Sequence, residues 1–140
     1  MAVRDQNLDS VAPVIATFKI QQTASVDNLK DTDIGKPVKL TGNGEVGPIG
    51  AGDILLGKLM ALTLTDGDNG KRLASVQVAG ICRLAVSATV PVVGNKVVGG
   101  TAGTVKQATV LAAFDPAGGN VARGLVLEVN GTTDCVILLD

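Results

Sequence analysis

Histidine, tryptophan and tyrosine are absent from this 140-residue chain, and only two phenylalanines are present. Without histidine, His-dependent catalytic triads and His-ligated metals are excluded. With only two phenylalanines for aromatic side chains, base-stacking platforms and sugar-binding shelves are excluded as well. Charge of one sign is equally lacking. Twelve Lys and Arg stand against thirteen Asp and Glu, a formal net charge of −1, so no basic face points to nucleic acid or anionic lipid. No apolar run approaches the ~20 residues of a membrane span. Met1–Ser10 is polar, with Arg4, Asp5 and Asp9, and does not read as a secretory signal. The two cysteines, Cys82 and Cys135, each lie in an apolar run and read as small buried thiols in a reducing, soluble compartment.

What is present is small and aliphatic. Eighteen glycines and a 46% hydrophobic content imply a core filled by Val, Leu, Ile and Ala, whose apolar payload is modest without aromatic bulk. From Met1 to about Ala12 the chain reads as an extended arm, and residues 13–140 read as a single domain. A strand-like run begins at Pro13 with Val14-Ile15-Ala16-Thr17-Phe18-Lys19-Ile20. Gln21 to Lys36 is polar and is open to a helical turn or a loop. An alternating strand follows at Lys36-Pro37-Val38-Lys39-Leu40-Thr41, ahead of the glycine cluster Gly42-Asn43-Gly44-Glu45-Val46-Gly47.

The strongest local signal lies between Ile54 and Val86. Two apolar-rich runs there flank Asp66-Gly67-Asp68-Asn69-Gly70, and Asn-Gly favours hairpin turns, so the runs should pair antiparallel. In the second run Ala74, Val76, Val78, Gly80, Cys82, Leu84 and Val86 alternate with Ser75, Gln77, Arg83 and Ser87. Period two therefore puts Cys82 inside and Gln77 on the solvated face. A second hairpin is expected from Val121–Val129 and Thr132–Leu139 around Asn130-Gly131, with Leu125, Leu127 and Val129 on one face and Glu128 on the other. Between the hairpins, Val97 to Val105 looks like two very short strands around a glycine-rich turn. Thr109 to Phe114 is the one stretch ambiguous between strand and helix. Glycines within strands, such as Gly57 and Gly80, mark bulges or tight bends. Many short strands with recurrent turns predict an all-β fold: a small, Gly-rich antiparallel barrel or sandwich with an extended N-terminal arm.

The chemical motifs are weak. Gly42 to Gly47 matches G-x-G-x-x-G, but Pro48, Gly50 and Gly52 follow and prevent the helix that a dinucleotide site requires; the glycines read as a loop. Asp66 to Gly70 resembles the start of a calcium loop, yet Lys71, Arg72 and Leu73 stand where a bidentate acid is needed. Asn130-Gly131-Thr132 is a glycosylation sequon better explained as a turn. With no His, a base would have to be Lys, Asp or Glu, and no Ser or Cys has such a partner at motif spacing; Asp115, Glu128 and Asp134 sit in different segments, so an enzyme is not expected.

Gly35-Lys36-Pro37-Val38-Lys39-Leu40, Ala51-Gly52-Asp53-Ile54-Leu55-Leu56-Gly57-Lys58-Leu59 and Val76-Gln77-Val78-Ala79-Gly80-Ile81 form a cadence. Val90-Pro91-Val92-Val93-Gly94-Asn95-Lys96-Val97 and Ala122-Arg123-Gly124-Leu125-Val126-Leu127, with the closing hairpin, continue it. From Gly35 to the C-terminus the chain resembles the small β-domain head decoration, or capsid cement, proteins of tailed bacteriophages. That resemblance implies a non-catalytic protein without a cofactor, made in the host cytoplasm and placed on the capsid exterior of the virion. Its partners would be the major capsid protein and itself, as a homotrimer, with neither nucleic acid nor membrane. The arm residues Ala2, Val3, Arg4, Asp5, Gln6, Asn7 and Leu8 would form the capsid-binding segment. Two other classes compete: a tail-associated or receptor-binding β-module of a virion, and a biotinyl- or lipoyl-like carrier domain. A carrier needs a modified Lys at an exposed hairpin tip flanked by Met or Asp; Lys71 follows the Asp68-Asn69-Gly70 turn, but Arg72 and Leu73 do not complete the motif, and Lys58, next to Leu59-Met60, lies within a strand.

Overall fold

The computed structural model describes residues 11–63, 72–87, 89–109 and 122–139. Within these residues the chain is all-β, as its alternation and turn residues predict, and five strands close into a barrel. The barrel strands are β1 (Val11–Ile20), β4 (Pro37–Gly42), β5 (Glu45–Pro48), β6 (Gly57–Leu62) and β7 (Leu73–Ala85). The order β1-β5-β4-β6-β7 returns to β1 through an antiparallel β1–β7 ladder, and the β1–β5 pairing is parallel. Between β1 and β4 the polar stretch holds a short hairpin, β2 (Gln22–Thr23) with β3 (Val26–Asp27), and a 3-10 turn at Asp31–Asp33.

The β6–β7 pairing runs antiparallel from Lys58↔Gln77 to Leu62↔Ala74, as expected. The Asp66–Gly70 turn and Lys71 lie outside the described residues. β8 (Val97–Gly99) and β9 (Val105–Gln107) form the expected short hairpin. β10 (Leu125–Asn130) and β11 (Asp134–Leu139) extend the sheet beyond the barrel by pairing β11 to the second half of β7. Among the described residues two large apolar clusters result, with a small third one at Val98 and Ala108. One fills the barrel with Ile20, Val38, Val46, Leu59, Ala74 and Val76. The other lies under the extension with Leu55, Cys82, Leu84, Val97, Val126, Cys135 and Ile137. Each Val or Leu so buried contributes roughly 1.5–3 kcal/mol.

Several local expectations are corrected. β1 begins at Val11, two residues inside the expected arm. Ala12 has φ +50°, and the register to β7 shifts on both sides of Val14; a proline, lacking an N–H for the ladder, is tolerated at such a bulge. The cluster Gly42–Gly47 is no open loop but the tight β4–β5 hairpin turning at Asn43-Gly44, with Val46 and Gly47 inside β5. At the C-terminus Asn130 pairs with Asp134, so the hairpin has a three-residue loop, Gly131 to Thr133, and Asn130 belongs to the strand. β10 starts only at Leu125, and Val121 lies outside the described residues. Leu125 faces out while Val126 is buried. A bulge between Val126 and Glu128 then flips the parity, which is why Val126 and Val129 both meet the core.

Gln77 is the sharpest departure. It is fully buried, not solvated. Its side-chain amide donates to the Ala79 and Ile81 carbonyls at 3.2 and 3.3 Å, along the stretch where β1 is out of register, and its Oε1 has no hydrogen-bond partner. The two carbonyls lie on the part of β7 opposite the irregular start of β1, and the Gln77 amide reaches them by running forward along its own strand.

Candidate functional site: a slot at the fork of β7

β7 has thirteen residues and serves two neighbours along one edge. β6 pairs with it as far as Gln77 and β11 takes over from Gly80, while β1 occupies the other edge. Gly80 sits at this fork with φ +101°, a backbone region costly for any residue with a Cβ. Arg123 fills the fork. Its own main chain is fixed by two hydrogen bonds with Val97, at 3.0 and 3.1 Å. Its guanidinium donates to the carbonyls of Val78, Leu56 and Leu55. A planar group with five donors suits converging carbonyls, so Arg123 joins β7, the start of β6 and the crossing segment before β10.

Above this plug lies an open groove of about 540 Å³, walled by Lys39, Leu40, Asp53, Ile54 and Leu56 with Arg123 on its floor. One wall is rigid. The Asp53 carboxylate accepts from Lys39 Nζ and from the Gly50 N–H, both at 2.8 Å. The Lys39 hydrogen bond first, and the Gly50 N–H second, hold its pKa below the ordinary 3.8. The other wall is apolar: Leu40 and Ile54 stand 55% and 56% exposed. The main chain there is open too. The Val46 carbonyl accepts from Gln21 in β1, so Gly47 faces β4 and pairs with Lys39. On β4's opposite edge the Lys36 and Val38 carbonyls accept from Leu59 and Leu56, both at 2.9 Å. Strand alternation then turns the Leu40 N–H and C=O into the groove. Among the described residues nothing pairs with them there, because the β4–β6 ladder ends at Val38.

The other reactive side chains are placed as follows. Cys82 and Cys135 are free and fully buried, as strand parity predicts. They lie diagonally on adjacent strands, since Cys82 faces Ile137 and Cys135 faces Leu84. Burial pushes the Cys135 thiol up to about 12, with Cys82 and Asp134 adding to the effect. Asp134 pairs with Arg83 at 2.8 Å and Asp31 with Arg72 at 2.7 Å. Glu128 faces Val136, and Asp134 faces Asn130; Asp115 lies outside the described residues. Lys58 lies within β6 opposite Gln77, not at a hairpin tip. The arm residues Ala2, Val3, Arg4, Asp5, Gln6, Asn7 and Leu8 are likewise outside the described residues. No protein-family model matches the chain, and no curated protein does.

Proposed function

We propose that this protein is a non-catalytic capsid decoration protein, a homo-oligomer that binds the outer surface of a phage head and stabilises it mechanically. One observation carries the reading. Leu125, Leu138 and Ile81 face one another across β10, β11 and β7, and the next position on that line is Val11, where the arm begins. Leu125 and Leu138 are 41% and 37% exposed. An outward aliphatic row continuous with the start of β1, where the N-terminal segment joins the domain, supplies what a fastening surface needs, contact area beside the segment that would fasten it. Ordering an arm costs roughly 1–2 kcal/mol of backbone entropy per residue. An oligomer offsets this cost, because once one arm is seated the others bind at high effective concentration.

The test is incubation of the purified protein with undecorated heads, followed by imaging. Regular density on the shell is expected. Deleting residues 1–10 should leave the melting temperature nearly unchanged while reducing occupancy by orders of magnitude. Heads that stay bare at micromolar full-length protein overturn the proposal.

A further inference from the structure

We infer that the slot at the fork of β7 holds the N-terminal segment, residues 1–10, of a second copy of this chain, added as a strand to the free edge of β4. The slot offers the three things an added strand requires: an unpaired main-chain N–H and C=O at Leu40, an aliphatic wall at Leu40 and Ile54, and an opposite wall made by the Lys39–Asp53 pair. An exposed edge of this kind is a liability unless something covers it.

The direction of β1 selects a neighbouring copy over the chain's own arm. β1 runs antiparallel to β7, from Val11 opposite Ile81 to Lys19 opposite Leu73. Prolonged upstream of Val11, its axis runs beside Cys82 to Ala85. The slot lies the other way, at the level of Gln77 and Val78, on the opposite edge of β7. A chain entering its own slot would have to reverse and cross β7. Donor root and acceptor slot are therefore different surfaces, so the contact is head-to-tail, the kind that makes a ring where its rotation closes and a filament where it does not.

Reach selects the anchoring residue. The arm has two aliphatic side chains beyond its initial Met1 and Ala2, Val3 and Leu8. Leu8 is three steps from Val11, about 10 Å at 3.3 Å per residue, whereas Val3 is eight steps away, about 26 Å. The longer span crosses to a neighbour's barrel, which places Val3 against Leu40 and Ile54 of the receiving copy. The inference rests on the decoration reading only in taking the N-terminus as a fastening arm; it names where that arm is held before a shell is met.

The test is a Val3→Cys, Ile54→Cys double variant under mild oxidation, with the native thiols shielded by burial. Disulfide-linked oligomers up to the ring size are expected on a non-reducing gel, with the intact assembly seen by light scattering. A monomeric protein overturns the inference, and so does a product of monomer mass, whether unlinked or looped within one chain. Ile54→Asp, on an exposed position that leaves the fold intact, should weaken assembly about tenfold or more; unchanged assembly likewise counts against the slot. Head binding is read separately. Linked rings that do not bind heads leave the slot standing and remove the decoration reading, and head binding without linkage does the reverse.

Discussion

Gly57→Ala is the substitution that examines the fork most directly. A Cβ on Gly57 would sit 1.9 Å from the Gln77 carbonyl oxygen and 2.9 Å from its carbon. The obstacle is the backbone of a paired strand, which no side-chain rotation removes. Ordinary contact begins at 3.4 Å, so β6 and β7 must part locally by about 1.5 Å, a displacement well-packed interiors resist. The Leu56 N–H to Val38 carbonyl bond, now 2.9 Å, and the Arg123 bonds to Leu56 and Val78 lie at the same corner. Losing two or three of these at about 1 kcal/mol each gives a destabilisation near 3 kcal/mol, or a melting temperature lower by roughly 10 °C. Urea titration of the pure protein measures it. Gly52→Ala is the control: its φ is +84° with nothing within 4 Å of the new Cβ, so only backbone strain of about 1 kcal/mol is added. A Gly57→Ala protein within about 0.5 kcal/mol of wild type, or a control equally damaged, refutes the close-approach account.

Three further outcomes follow from local geometry. Ala24 and Ser25 occupy the two-residue turn of β2–β3 with φ of +51° and +64°, a turn that favours Asn-Gly, so Ala24→Asn with Ser25→Gly should raise the urea midpoint by about 1 kcal/mol of stability. Asp53→Asn should cost up to about 1 kcal/mol at neutral pH. Because the Asp53 pKa is depressed in the folded state, that contribution is present above the ordinary carboxylate value and lost as pH falls through the folded one, so wild type and variant should converge in melting scans below pH 4. Cys135, raised to about 12 against an ordinary 9.0, should resist alkylation until the protein unfolds. Its burial stabilises below pH 9 and progressively less above it, so Cys135→Ala, at a cost of about 1 kcal/mol in a small cavity, should lose less stability than wild type between neutral and alkaline pH.

The sequence discloses those parts of the fold that depend on neighbours along the chain. Alternation from Ala74 to Leu84 and two runs flanking Asn-Gly are enough to pair β6 with β7 and to turn Cys82 inward. A third Asn-Gly, at Asn43-Gly44, carries the same signal for β4–β5, but it overlaps a G-x-G-x-x-G pattern that reads equally as a loop. What fails is parity: one extra residue turns Val126 inward instead of Leu125, and Gln77 is buried together with its neighbour Val76, between β1 and β6, against the period-two pattern. Nothing local announces that β1 and β5 pair in parallel to close the barrel. The slot is invisible for a stronger reason. Lys39, Asp53 and Arg123 come from segments up to 84 positions apart, and an arginine among small residues gives no sign that three carbonyls wait for it.

The long β1–β7 ladder also determines how the molecule would bear load. A pull on the N-terminus enters at Val11 and acts along the axis of β1. β1's antiparallel partner spans Leu73 to Ile81, and β5 grips its far end at Lys19 and Ile20. Tension so directed shears the ladder, straining its hydrogen bonds together, whereas a pull across the strands would open them one at a time. Survival under such a load is governed by the rate of unfolding, not by equilibrium stability. A tether rooted here would therefore hold best when drawn out along the strand, and peel easily when lifted from the side.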